Sequence, residues 1–197
     1  ECIELLQERH AEVVRGNHDD YAVRDEKHWR MHASATEALR WTRSVLSTAH
    51  KDWLKSLPYQ LTYRSFSFVH ASHTRQPRWP YISTDTDAAA NFLFQGRRIA
   101  FNGHTHVPLC ISHETGKRPQ LALLTDMMIP RGKRFLISAG SVGQPRDGDP
   151  RACALVLDSK RQRIRILRIP YDIEKAQKRI IAAGLPIELA ERLTCGD

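Results

Sequence analysis

The residues with the most chemical capacity are His104 and His106, one residue apart in Asn102-Gly103-His104-Thr105-His106, behind the apolar run Ile99-Ala100-Phe101. Imidazole is a borderline ligand, and two rings on a sharp turn after a strand can face one metal ion or two adjacent ones. Two other apolar runs end in a similar way. Val13-Val14 leads into Arg15-Gly16-Asn17-His18-Asp19, and Phe66-Ser67-Phe68-Val69 leads into His70. A His-x-His pair alone says little. Three strand ends that each present Asn or His imply one cleft at the edge of a sheet, the usual place for a site in an α/β fold.

The elements that would position these residues follow from periodicity. Residues 1–9 read as the tail of a helix and 12–14 as a short strand, with the Gly-Asn-His-Asp loop after it. Residues 20–35 are polar and irregular. Ala38, Leu39, Trp41, Val45 and Leu46 then fall at helical spacing, and a second helical stretch with Trp53, Leu54 and Leu57 stops at Pro58. Trp41, Trp53 and Phe92 are expected in the core. Strands are expected at 60–63 and 65–69, followed by a Pro-, Arg- and aromatic-rich loop, 71–81, at the mouth of the cleft. A helix capped by Asp85 or Thr86 runs through Phe92 and Leu93 to Gly96 and feeds the central strand. The remainder is strand-rich, at 107–112, 120–125, 134–138, 152–157 and 163–168, and reads as a second sheet. The polar loop 140–149 is equally compatible with a plain connection and with a place beside the site. A closing helix at 171–183 and a short last one begun by Pro186 complete a single α/β domain over 1–197.

Composition bounds the class. The chain has 197 residues, 41% of them hydrophobic, enough for a sizeable core, and no apolar run long enough to span a membrane. Cys2, Cys110, Cys153 and Cys195 show no C-x-x-C spacing, which fits a reducing cytoplasm. The net charge of +8 favours an anionic partner, a phosphorylated substrate or a nucleic acid. Much of it lies in the alternating stretch 160–168, which reads as a strand with a solvated basic face. No aromatic residues interleave there, so nucleic acid is the lesser expectation. The chain opens without Met inside an amphipathic stretch, which suggests that it begins within a longer protein.

The motifs Gly16-Asn17-His18-Asp19, Val69-His70 and Gly103-His104-Thr105-His106, in this order, resemble the calcineurin-like metallophosphoesterase superfamily. Its small bacterial branch, described as diadenosine tetraphosphatase-like or serine/threonine phosphatase-like, is the nearer resemblance. Val69-His70-Ala71-Ser72, the 140–146 stretch, Tyr171-Asp172 and Gly184-Leu185-Pro186 add to it. The resemblance implies a four-layer α/β/β/α sandwich of two mixed sheets, here lacking its first strands, with two divalent ions (Mn, Fe, Zn or Ni) at the strand ends. Asn17, His70 and His104 would hold the second ion and His106 the first. The implied activity is hydrolysis of phosphomonoesters or phosphodiesters by water activated between the ions. His18 would face the substrate and protonate the leaving oxygen, with Asp19 beside it to orient the ring. His73, Arg75 and Arg146, with Arg78 near them, are candidate substrate contacts.

Ahead of Asn17, where the family carries them, this sequence has neither the Asp-x-His nor the bridging Gly-Asp motif. Two dications about 3.5–4 Å apart repel strongly, and neutral Asn and His supply no charge to offset that. A non-catalytic binding or scaffold protein retaining the fold, and a basic nucleic-acid-binding module, are therefore the competing classes.

Overall fold

The computed structural model describes residues 1–197 apart from Arg30 and Arg75, with His28 described through its backbone alone. The larger of two sheets starts with a hairpin of β1 (Gln60–Tyr63) and β2 (Phe66–Val69). β3 (Ile99–Asn102) runs parallel to β2, and β7 (Arg134–Ser138) runs parallel to β3. β4 (Leu109–His113) and β5 (Gln120–Leu123) extend the sheet antiparallel, giving the order β1-β2-β3-β7-β4-β5. The smaller sheet is antiparallel throughout, with β6 (Met127–Met128), β9 (Arg163–Ile169) and β8 (Ala152–Asp158) in that order.

Successive side chains of a strand point to opposite faces, and β3 and β7 use both. Ile99, Phe135 and Ile137, with Phe101 packed against them, meet Ile164, Leu124 and Ile129 between the sheets. Ala100 and Leu136 face the other way with Ile111, under Ala88 and Phe92 of α5 (Asp85–Phe94). Burial of each large apolar side chain here contributes roughly 1.5–3 kcal/mol. The outer face of the smaller sheet carries exposed Met128, Val156 and Ile169 beside exposed Arg163 and Arg165.

A helical group closes the C-terminal ends of the parallel strands. It comprises α2 (Asn17–Val23), a 3-10 turn at Glu26–His28, α3 (Ala33–Val45) and α4 (Thr48–Ser56). Tyr21, Trp29, Leu39, Leu54 and Leu57 form its core, and Ala71 and Trp79 of the mouth loop join them. Ile3 of α1 (Cys2–Glu8) packs against the same core. α6 (Ile173–Ala182) and α7 (Glu188–Cys195) pack on each other at the end of the chain. Among the described residues no helix is long and apolar enough to cross a membrane.

Several expectations change. Residues 12–14 form no strand; the main chain there is tied through the Arg15 amide to the Pro58 carbonyl, at 2.8 Å, rather than to a ladder. The 20–35 stretch, read as irregular, contains most of α2, the 3-10 turn and the start of α3. The strand-rich second half is divided between the sheets, because the apolar residues of β7 alternate onto two cores and only a place beside β3 buries both. Trp41 is exposed at 40%, on the outer side of α3. The cap of α5 is Thr84, not Asp85 or Thr86. Its hydroxyl accepts from the Asp87 amide at 3.1 Å while the Asp87 carboxylate accepts from the Thr84 amide at 3.1 Å, a reciprocal pair.

Candidate metal centre and its cleft

Three elements deliver one donor atom each. His70 follows β2, Asn17 opens α2, and His104 stands two residues beyond β3. His70 Nε2 lies 2.9 Å from Asn17 Oδ1 and 3.2 Å from His104 Nδ1. Donors about 2.1 Å from one ion and at right angles to each other sit roughly 3.0 Å apart, so this spacing matches the edges of a coordination polyhedron. His104 Nε2–H donates to the Trp79 carbonyl at 3.1 Å, which leaves the Nδ1 lone pair facing the cluster. His106 Nδ1–H donates to the Gln144 carbonyl at 2.6 Å, which leaves Nε2 free. The donor set therefore fits a divalent ion that takes neutral nitrogen and amide oxygen. It includes no carboxylate, and among the described residues no three His, Cys, Asp or Glu side chains are grouped to hold a metal without Asn17.

The turn that carries the two imidazoles is tight for a reason the sequence did not show. The left-handed backbone belongs to the histidines, with φ 65° at His104 and 61° at His106, and not to Gly103. Non-glycine residues in that region cost of order 1 kcal/mol or more and persist where surrounding contacts hold them. Here the Asn102 carbonyl receives the Ala139 amide, the Gly103 amide donates to the His70 carbonyl, and the His106 carbonyl receives the Arg146 amide. Space is tight instead at Gly16, where a Cβ would crowd His70 Nδ1 at 3.0 Å and Asp19 Oδ2 at 3.2 Å. The helix that carries Asn17 is anchored by Asp20, 1% exposed, whose Oδ1 accepts from Tyr59 Oη and from Arg24 Nε at 3.0 Å each.

Aromatic residues of the mouth loop cover these rings. Tyr81 stacks on His104 with centroids 4.1 Å apart, and Trp79 stands edge-on to His70 at 5.8 Å. Burial pulls the His70 pKa down to about 3, helped by the charges that His104, His106 and His18 would carry. His104 is lowered to about 4, mainly by burial and against its bond to the Trp79 carbonyl. His106 is lowered for the same main reason, against its bond to Gln144. At neutral pH these rings are uncharged, the form in which imidazole ligates a metal.

The remaining candidates separate. His18 lies on the exposed side of α2 and lines a cleft with His106 and Arg146. The adjacent protein lowers its pKa by desolvation, Arg146 adds to that, and the Asp19 charge opposes it. Asp19 Oδ2 accepts from the Gly16 amide at 2.7 Å, so this carboxylate closes the start of α2 and acts on His18 as a nearby charge. Burial raises the pKa of Asp19 itself. The ring nitrogens of His73 are both turned into the protein, Nδ1 on Asn91 Oδ1 and Nε2 on Ser67 Oγ, at 3.1 Å each, which leaves neither for a ligand. Arg75 lies outside the described residues, and Arg78 is exposed. The 140–149 loop does stand beside the site, through Gln144 and Arg146. Trp79, Tyr81 and Gln144 were missed as individual residues. The aromatic content of 71–81 pointed to the first two, whereas a backbone carbonyl such as that of Gln144 leaves no trace in side-chain spacing.

Residues 1–162 match the calcineurin-like phosphoesterase superfamily domain. The chain belongs to this superfamily. An uncharacterized protein of Methanocaldococcus jannaschii is 32% identical over 202 residues, a match covering 100% of this chain and 80% of that protein. A crystal structure of a metallophosphoesterase from Sphaerobacter thermophilus superposes with a TM-score of 0.84 at 34% identity, covering 100% of this chain and 81% of the other. A hypothetical protein from Pyrococcus horikoshii OT3 shares the fold, with a TM-score of 0.76 at 17% identity over 100% and 77% of the two chains. The calcineurin-like fold thus accounts for the two facing sheets.

Proposed function

We propose that this calcineurin-like protein is a metal-dependent phosphoesterase that cleaves phosphomonoester or phosphodiester bonds. The observation that carries the reading is the convergence of Asn17 Oδ1, His70 Nε2 and His104 Nδ1, from three separate elements, with spacings of 2.9 and 3.2 Å. These three would hold one divalent ion, and His106 Nε2 is the donor for a neighbouring one. Such ions supply Lewis acidity to a phosphoryl oxygen and make water available as a nucleophile near neutral pH.

The chain's own residues have distinct tasks. His18 faces the cleft from the first turn of α2, and its proton would go to the leaving oxygen of the ester. The protein beside it disfavours charge and lowers its pKa. A phosphate dianion bound against it acts in the opposite direction and loads the ring with the proton it must deliver. Arg146 offers a fixed positive charge for the phosphoryl oxygens. Trp79 and Tyr81 exclude water from the histidines. Metal analysis together with hydrolysis of 4-nitrophenyl phosphate and its bis ester, with Mn, Fe, Zn and Ni, tests the reading. Metal-dependent turnover that disappears in His104→Ala is expected. A protein that takes up none of these metals and cleaves neither ester overturns it.

A further inference from the structure

Beside His18 and His106 the protein keeps a cleft of about 540 Å³, far larger than a phosphoryl group fills and within the range of small-molecule sites. Ala35 and Ala38 of α3 line it on one side, and Ile180 of α6 with Leu189 and Leu193 of α7 on another. The two alanines, one helical turn apart, leave space where larger residues would close it. Val142, 68% exposed, and Gly143, where a Cβ would meet nothing within 4 Å, border it from the 140–149 loop.

Two of the polar groups along the cleft lack an internal partner. Arg192 Nε and the Tyr171 hydroxyl are buried without a hydrogen-bond partner, although both residues line the cleft. Among the described residues no carboxylate pairs with Arg146 or Arg192, and the side chain of Arg146 donates to the neutral Gln144 amide at 2.9 Å. Arg179, the third cation of the lining, is paired with Glu1. Apolar walls with a few unmatched donors, continuous with the proton donor, describe a site for an anionic ester with a large apolar body.

We propose that this cleft binds the alcohol part of the phosphoester, that the protein prefers esters of apolar alcohols of aromatic-ring size or larger, and that Arg192 and Tyr171 are substrate-binding residues. The inference rests on the phosphoesterase reading for which end of the cleft reacts. Its test is chosen to separate the two. Calorimetry of the 197-residue protein with 1-naphthylmethylphosphonate and with methylphosphonate, neither of them an ester, reads binding without turnover. The naphthyl compound is expected to bind at least about tenfold more tightly, the effect of removing ring surface from water. Ala38→Trp fills the cleft and should abolish that preference. Val142→Asp places a charge on the apolar wall through an exposed loop side chain, and decides the matter by the same loss of preference should the helix variant fail to fold. Arg192→Gln should weaken both ligands. Equal affinity for the two phosphonates, or a preference that survives both wall variants, overturns the proposal. Hydrolysis of 1-naphthyl phosphate is then read separately. A naphthyl preference in a protein that takes up no metal and cleaves neither this ester nor the nitrophenyl ones sinks the phosphoesterase reading and leaves the ligand class standing, whereas turnover without preference sinks the cleft.

Discussion

His70 and His73 are three residues apart on one loop, and they lead opposite lives. His73 is a closed account of hydrogen bonds. Its Nδ1–H donates to Asn91 Oδ1, its Nε2 accepts from Ser67, and Asn91 Nδ2 passes the chain on to Gln95, whose amide reaches the Arg97 and Phe135 carbonyls. Ser67, Asn91 and Gln95 are all buried, so every donor there has found an acceptor inside the protein. Around His70 the reverse holds. The His104 tautomer is fixed from behind by Trp79, so His70 Nε2 faces the lone pairs of Asn17 and His104 together, and only one proton is available to serve both. A cation can satisfy all three donors at once. On the proposed reading the contrast separates a histidine that holds the fold from histidines that would hold a metal, and burial alone does not make that distinction.

The largest effect expected from breaking this contrast is a double dissociation. His104→Ala should lose metal content and lower turnover by more than about 100-fold, above the range for losing a supporting partner. His73→Ala should keep its metal and lose about 1–3 kcal/mol of stability, because the buried Ser67 hydroxyl is left without its partner, while Asn91 Oδ1 keeps the Ser72 hydroxyl and the residue-73 amide. Denaturant unfolding and metal analysis on the same samples read both. A His73 variant that loses metal as readily as the His104 variant would merge the two clusters.

Gly16→Ala is next. The new methyl would stand 3.0 Å from His70 Nδ1, so the ring has to give by a few tenths of an ångström against Asn17, and metal affinity should fall by up to about 10-fold, as when a ligand's orientation is disturbed. Unfolding should change less than metal affinity, and the reverse ranking counts against a role for His70 as ligand.

Acid should destabilise the chelator-treated, cation-free protein. The folded-state pKa values of His70 and His104, about 3 and about 4, lie below the ordinary histidine value of about 6.5. Between those values the unfolded chain binds protons that the folded chain refuses, so stability is full above about 6.5 and is lost as pH falls through that window. Melting temperature measured from pH 7.5 down to 4.5 should fall, and His70→Gln should fall less steeply. A flat profile would mean that the rings are not held neutral by burial.

The smallest effect is expected at Tyr81→Leu. Loss of the stacked ring opens His104 to water, moves its pKa back toward the ordinary value and weakens metal binding by a few-fold, readable in a metal titration below pH 6.

The fold was legible where periodicity decides. The spacing of Ala38, Leu39 and Leu46 gave a helix where α3 lies, and the alternation in 163–168 gave β9. It failed where neighbours decide. Val13-Val14 looks like a strand, but the Arg15 amide that follows it donates to the Pro58 carbonyl rather than to a ladder, and whether an extended segment joins a ladder depends on what lies beside it. The division of the second half between two sheets has the same cause, since β7 and β8 are similar in pattern and differ in which cores meet them.

The site divides along the same line. Residue types and order were enough, by themselves, to mark Asn17, His70, His104 and His106 as donor-bearing ends, because ligand chemistry is a property of side chains. Only the tertiary structure decided which nitrogens of His104 and His106 face the cluster, that both ring nitrogens of His73 are taken by Asn91 and Ser67 while His70 Nε2 meets Asn17 and His104, and that Arg192 and Tyr171 from the last elements border the same cleft as His18. Those outcomes depend on backbone carbonyls and on packing between distant segments, and neither is written in the spacing of a sequence.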